Sequence, residues 1–212
     1  MPISRARPPE GLERSVLETA AELLPGRLGD AGARGPMPTG EARELAADTM
    51  VSDVWPLYHL GLNRIVDGTG LSAAEMIGWR ALLRVNGRSV ALADVNAEAA
   101  EASDVRQLTY GPVVAGLAAI AQSARQASEY DSDDIEERIL QIPGIYVLAI
   151  WEHHPANDAA DIVVPSAPVP TGLEADRRYP AAELLEAVMP LARDRIDDRS
   201  TRGPETAPAP SY

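Results

Sequence analysis

The clearest pattern of hydrophobic and polar positions along the chain lies in residues 142–170. In residues 145–151 both alternating sets of positions are apolar, which is typical of a strand buried on both faces. The Pro-Gly pair at 143–144 prevents a helix from running into this strand. Residues 154–160 are rich in turn formers, and a return strand follows them at residues 161–164, apolar after Asp161. The segment therefore predicts a buried β-hairpin.

The N-terminal half shows helical periodicity instead of alternation. Apolar residues recur at spacings of three and four over residues 12–24 and again over residues 54–66. The pattern Ser72-x-x-Glu75 matches a capping box and indicates the start of a third helix. The first strand is then expected only at residues 89–95, where apolar and β-branched residues dominate.

Further along the chain we expect a short strand at residues 105–110 and a helix with Pro112 at its first position. Carboxylates near the start of residues 131–140 favour a short helix there, and residues 181–196 predict a last helix. The sum is an α+β fold. It has a helical N-terminal half plus a small mixed or antiparallel sheet of three to four strands covered by helices.

Composition divides the chain into three parts. Residues 1–40 are expected to hold the N-terminal helix and a Gly/Pro-rich linker. Residues 41–197 form a single α+β domain in this interpretation. Residues 198–212 are polar and proline-rich, and we predict that they form a disordered tail.

The residue types that are missing exclude several kinds of chemistry. The 212 residues include no Cys, which excludes disulfides, thiolate nucleophiles and Cys-ligated metals. They also include no Lys, which excludes a Schiff-base lysine and a P-loop lysine. The bias toward Ala, Arg, Gly and Pro is typical of a GC-rich, bacterial genome.

Charge and hydropathy limit the classes of partner and the cellular location that we expect. The net charge of −13 argues against nucleic acid and anionic membranes. No apolar run approaches 18 residues, and no secretory signal is recognisable at the N-terminus. We therefore expect a soluble, acidic, cytoplasmic protein.

A glycine motif in the middle of the chain is the sharpest candidate for ligand chemistry. Gly68-x-Gly70-x-x-Ala73 is followed, 26 residues after its first glycine, by Asp94 in the predicted strand. The arrangement resembles the first βαβ unit of a dinucleotide-binding fold, and residues 89–100 are similar to the second strand and turn of short-chain dehydrogenases. The resemblance implies that the glycines admit a pyrophosphate and that Asp94 holds ribose hydroxyls. The same glycines also fit a simple helix stop before the next cap.

A metal site at the turn of the hairpin is a further candidate. His153, His154 and Asp161 carry ligand-type side chains close together in the sequence. Neighbouring residues of a strand point to opposite faces, so both histidines reach one metal only if the turn has already begun. A surface turn without a metal explains the same residues, and we expect no metal and no cofactor.

No catalytic constellation emerges from these patterns. We therefore expect a non-enzymatic interaction or assembly module, with a protein partner or self-association and without nucleic acid or membrane. The Pro-rich residues 165–172 and the N-terminal helix are the expected contact surfaces. The alternative is a small nucleotide- or dinucleotide-binding enzyme that uses Gly68, Gly70, Ala73 and Asp94.

Overall fold

The computed structural model describes residues 7–30, 48–97, 105–128 and 135–202. A single eight-stranded mixed sheet, in the order β4-β3-β2-β1-β5-β6-β7-β8, forms its centre. The strands are β1 (Thr49–His59), β2 (Glu75–Val85), β3 (Arg88–Asn96), β4 (Val105–Thr109), β5 (Glu136–Ile142), β6 (Val147–His153), β7 (Ile162–Pro165) and β8 (Tyr179–Pro180).

In the described part of the chain, four helices accompany the sheet: α1 (Leu12–Asp30), α2 (Leu62–Val66), α3 (Pro112–Ser128) and α4 (Ala181–Arg202). Single 3₁₀ turns lie at Leu71–Ala73, Pro143–Ile145 and Asp158–Ala160. Within the described ranges, no helix is long and apolar enough to cross a membrane.

One parallel joint divides the sheet into two halves. All neighbouring strands pair antiparallel except β1 and β5, which run parallel. Two antiparallel meanders, β1–β4 and β5–β8, therefore meet at a parallel seam. The seam pairs Leu57 with Ile139, Tyr58 with Leu140 and His59 with Gln141.

Helices cover both faces of the sheet because alternate residues of most strands are apolar on both sides. Helix α3 packs on the face that carries Leu57 and Ile139. On the other face α1 covers Val54 and the first meander, and α4 covers Leu140 and the second. Burying one such aliphatic side chain contributes roughly 1.5–3 kcal/mol. The core therefore has three apolar clusters, one beneath each long helix.

The predicted small sheet and helical N-terminal half are wrong. Residues 54–59 belong to β1, and the predicted third helix is the strand β2. Register shifts in β1 fall between Val51 and Asp53 and between Leu57 and Tyr58. Such bulges break the two-residue period of a strand, and burial on both faces removes polar positions that would otherwise mark it.

Two local signals also misled the sequence interpretation. The Ser72 hydroxyl donates to the carbonyl of Thr69, and a 3₁₀ turn followed by β2 takes the place of the predicted capped helix. The acidic segment predicted as a helix over residues 131–140 contains β5 from Glu136 onward. Strand pairing across the sheet overrides both local propensities.

Several other elements are confirmed. Strands β6 and β7 form the predicted hairpin, buried on both faces, and β3 and β4 lie where short strands were expected. Helix α3 begins at Pro112, and the last helix continues to Arg202. Helix α1 runs on to Asp30. Residues 31–47, 98–104 and 203–212 lie outside the described residues, so the domain division stays a prediction.

Candidate functional site

Helix α3 covers only part of its face of the sheet, and the uncovered part forms an open cavity of about 610 Å³. Val113, in the first turn of α3, lines one side, and residues of β4 line another. Pro143, Tyr146 and Pro168 form an apolar rim. The volume falls within the range of about 300–1,000 Å³ found for ligand pockets. We call this cavity the polar groove.

A row of polar side chains crosses the floor of the polar groove. Asp94, Arg80, His59 and Gln141 lie on β3, β2, β1 and β5, which are consecutive strands of the sheet. Arg80 is the register partner of Asp94, and His59 is the register partner of Gln141. Strand pairing therefore forms each of the two pairs, and the long Arg80 side chain joins them by reaching Gln141.

The Arg80–Asp94 pair is bidentate and nearly buried. Arg80 Nε donates to Asp94 Oδ1 at 2.6 Å, and Arg80 Nη2 donates to Asp94 Oδ2 at 2.7 Å. The side chains are 5% and 15% exposed. A fork of this geometry fixes both side chains and engages both carboxylate oxygens.

Gln141 links this pair to His59 and determines which nitrogen of the neutral imidazole carries the proton. Its Oε1 accepts from Arg80 Nη2 at 3.3 Å and lies 3.2 Å from His59 Nε2. Because arginine only donates, the amide oxygen must face it, and His59 Nε2 must then carry a proton. His59 Nδ1 is left as an acceptor in the neutral ring.

The environment keeps His59 neutral. Burial lowers the pKa of the imidazole below its ordinary value of 6.5, and the Arg80 and Arg106 guanidinium groups lower it further. The hydrogen bond to Gln141 and the Asp94 carboxylate oppose this shift without cancelling it. At pH 7 the floor therefore holds an uncharged histidine beside a neutralised ion pair.

A second cavity of about 680 Å³ continues the polar groove around the ends of the strands. The two cavities share His59 and Ile77. Residues of α2, Glu75 in β2, and Ile196 and Ser200 near the end of α4 line the second one. His59 therefore lies at the junction of one continuous depression.

The most exposed aromatic side chain among the described large apolar residues stands on the rim. Tyr146 is 77% exposed and has a left-handed backbone with φ of 57°. For a residue with a Cβ this conformation costs about 1 kcal/mol or more. The turn Pro143–Ile145 holds it there, since the Tyr146 amide donates to the carbonyl of Pro143.

The histidines of the hairpin turn lie on the opposite face of the sheet. Asp161 is buried, and its Oδ2 accepts from Trp151 Nε1 at 2.7 Å and from His153 Nδ1 at 3.0 Å. Its Oδ1 accepts from the backbone amide of His154 at 2.8 Å. The structure thus brings His153 and Asp161 together, while His154 Nδ1 stays 3.9 Å from the carboxylate. Across the described ranges, no three ligand-type side chains converge on a point that could hold a metal.

The residues of the glycine motif do not converge on one site. Gly68 and Gly70 both have φ of 73° and lie between α2 and a 3₁₀ turn, so no strand precedes them and no helix follows. Gly70 lines a cavity on the α4 face, Ala73 lines the second cavity described above, and Asp94 lies on the α3 face. Both oxygens of Asp94 are already held by Arg80. The geometry offers no common binding place for a dinucleotide.

Sequence reasoning missed most of the polar groove. The sequence pattern places His59 inside a predicted helix over residues 54–66, and it gives no signal for Gln141. The one available signal was Arg80, a charged residue within the otherwise apolar run 76–83. Comparison of the chain with protein families, with curated proteins and with solved structures found no match. Functional inference therefore rests on the geometry.

Proposed function

We propose that this protein is a non-enzymatic interaction module that binds an extended segment of a partner protein in the polar groove. The observation that supports this is the row Asp94–Arg80–His59–Gln141 on the floor of an open cavity with an apolar rim. A cytoplasmic location and a protein partner are parts of the same proposal.

The dimensions suit a short peptide. The row spans four strands, so three strand spacings give it a width of about 14 Å across the sheet. An extended chain covers that distance with about four residues. The cavity is open along its length and adjoins a second cavity, which allows a chain to enter and leave.

The floor presents donors. Neither Arg80 Nη1 nor the Nε2 amide of Gln141 donates a hydrogen bond to a described residue. Arg106 also lines the groove, so the described lining residues carry two guanidinium groups against the one carboxylate of Asp94. This local excess of positive charge stands out in a chain of net charge −13. We infer that the bound segment places an Asp or Glu side chain over Arg80 and Gln141.

The rim supplies apolar contact area. Tyr146, Pro143 and Pro168 are exposed at one side of the groove, and Ile77 lies where the two cavities meet. Exposed tyrosine is among the residue types that dominate the energetics of interfaces. An apolar side chain next to the partner's carboxylate would remove this surface from water.

Within the described residues, the groove lacks the arrangement of a nucleophilic enzyme. The described lining residues supply the hydroxyls of Thr109 and Tyr146, and the Thr109 Oγ1 accepts from Gln107 Nε2 at 3.2 Å. No described hydroxyl is hydrogen-bonded to His59. Nucleophilic catalysis requires such a pair, so binding explains the geometry better than turnover.

Selection from a displayed library of random 12-residue peptides tests the proposal. The parent should enrich peptides with an acidic residue next to apolar ones. Arg80→Met/Asp94→Leu, which replaces the ion pair by apolar side chains of similar size, should not enrich them. Arg177→Ala/Glu183→Ala removes an exposed ion pair outside the groove and should behave like the parent.

Three results would contradict the proposal. The first is no enrichment with the parent, and the second is the same peptides with parent and groove variant. The third is a homodimer in sedimentation that the groove variant dissociates, because that result would place a second copy of the chain in the groove.

A further inference from the structure

A separate cavity of about 410 Å³ lies on the α4 face of the sheet, and we call it the His153 pocket. Tyr58, Arg138 and Trp151 line it from the strands, and Thr69 and Ser72 line it from the turn before β2. His153, Asp158 and Asp161 complete its polar lining. None of these residues lines the polar groove.

The Thr69 and Ser72 hydroxyl groups of the His153 pocket can only accept further hydrogen bonds. Thr69 Oγ1 donates its proton to the carbonyl of Arg64 at 2.9 Å. Ser72 Oγ donates its proton to the carbonyl of Thr69 at 2.8 Å. A hydroxyl has a single proton, so both side chains offer lone pairs to any ligand.

In its neutral form His153 also presents a hydrogen-bond acceptor. Asp161 Oδ2 accepts only, so His153 Nδ1 must carry the proton of the neutral ring, and Nε2 presents a lone pair. The carboxylate cannot turn away because Trp151 Nε1 and the His154 amide also donate to it. In its neutral form the ring is therefore held by a buried group with Nε2 as the acceptor.

Charge in the His153 pocket favours a cation. Asp158 is exposed at the pocket and Asp161 is buried behind it. Among the described lining residues, Arg138 is the one arginine, and its Nη2 donates to Glu136 Oε2 at 2.6 Å. Its guanidinium carbon also lies 4.9 Å from the Tyr58 ring centroid and 4.8 Å from that of Trp151. Arg138 is thus held to the floor with its charge balanced.

We propose that the His153 pocket binds a primary ammonium group. An ammonium has three donors and no acceptor, which complements the Thr69 and Ser72 oxygens, His153 Nε2 and the Asp158 carboxylate. Leu71, Ala74 and Ala181 line the pocket as well and suit a methylene stem. The chain contains no lysine, so none of its own side chains carries this group. A free alkylamine and a lysine side chain of a partner protein share this chemistry.

Calorimetric titration of the full chain tests the site with defined probes. The probes are 1,4-diaminobutane, Nα-acetyl-lysine methylamide and the same lysine compound acetylated on Nε. The two ammonium probes should bind at millimolar concentration or below, and the Nε-acetylated compound should not. Tighter binding of the diamine would indicate a free amine, and equal or tighter binding of the lysine amide would indicate a partner's lysine.

Asp158→Asn should weaken ammonium binding about 10-fold or more, since it removes a charge-assisted hydrogen bond. Asp194→Asn is the matched control, because Asp194 is exposed on α4 about 20 Å along the helix from Ala181. Equal weakening by the two variants would show only general attraction to an acidic protein and would overturn the proposal. So would binding of the acetylated compound, or no binding of either ammonium probe.

Discussion

The Arg80–Asp94 pair gives the sharpest test of how the polar groove is held together. Asp94→Ala leaves the Arg80 guanidinium, which is 5% exposed, without its carboxylate. Two unit charges about 4 Å apart interact by about 4 kcal/mol at an effective dielectric constant near 20. Losing one partner of a buried pair costs about 3–5 kcal/mol. Because Asp94 itself is 15% exposed, we expect the lower end, about 3 kcal/mol.

Urea unfolding followed by tryptophan fluorescence measures this change. With a slope of about 2–3 kcal/mol per molar urea, the midpoint should fall by roughly 1 M. Arg80→Met/Asp94→Leu should unfold within about 1 kcal/mol of the parent, because no charge is left unpaired. Glu183→Ala breaks a pair with 44% exposure on both sides and should cost about 0–1 kcal/mol. If Asp94→Ala costs no more than Glu183→Ala, the pair is not the buried anchor that we infer.

Three further changes probe the surroundings of the groove. Gly78→Ala would place a Cβ 2.1 Å from the carbonyl oxygen of Val95, so thermal unfolding should show a loss of about 2 kcal/mol or more. A Cβ at Gly61 would meet no atom within 4 Å, so Gly61→Ala is the control, and a comparable loss of stability there would refute the steric argument. The stability of the parent should fall below pH 6.5, because the lowered pKa of His59 makes the unfolded chain take up the proton first. The unfolding free energy of the parent minus that of His59→Gln should therefore decrease on acidification to pH 5.5. A constant difference would contradict the direction of the pKa shift. Tyr146→Gly relieves the left-handed strain, so the free energy of unfolding should rise by up to about 1 kcal/mol while affinity for the selected peptides falls roughly 10-fold or more. Loss of both stability and affinity would show that Tyr146 is structural.

The sequence predicted elements whose pattern agrees with their final environment. The β6–β7 hairpin was recognisable because turn-forming residues separate two short apolar runs. Helix α3 was recognisable from Pro112 at its first position and from apolar residues on one side. In both cases local propensity and tertiary packing favour the same structure.

Strands β1 and β2 were missed because their local signals favour another structure. Pro56 lies inside β1, paired opposite Trp79, where a proline is rare in a sheet interior. The register shift between Leu57 and Tyr58 interrupts the alternation of β1, and the apolar positions continue into the helix α2, so residues 54–66 imitate one helical stripe. The polar groove depended on these strands, and the pairing of His59 with Gln141 joins residues 82 positions apart. No local pattern carries that information.

The parallel seam has a consequence for how the protein opens. Each meander forms from neighbours in sequence, whereas the pairing of β1 with β5 requires closure of a long loop. The seam is short, and Trp55 Nε1 donating to Glu137 Oε2 reinforces it from one side. We therefore expect the two meanders to separate as units before either unravels, which would appear as joint amide hydrogen exchange along β1 and β5. Arg80 and Gln141 lie on opposite sides of that seam. A peptide bound to both would hold the two meanders together and slow the amide exchange of β1 and β5 by the same factor.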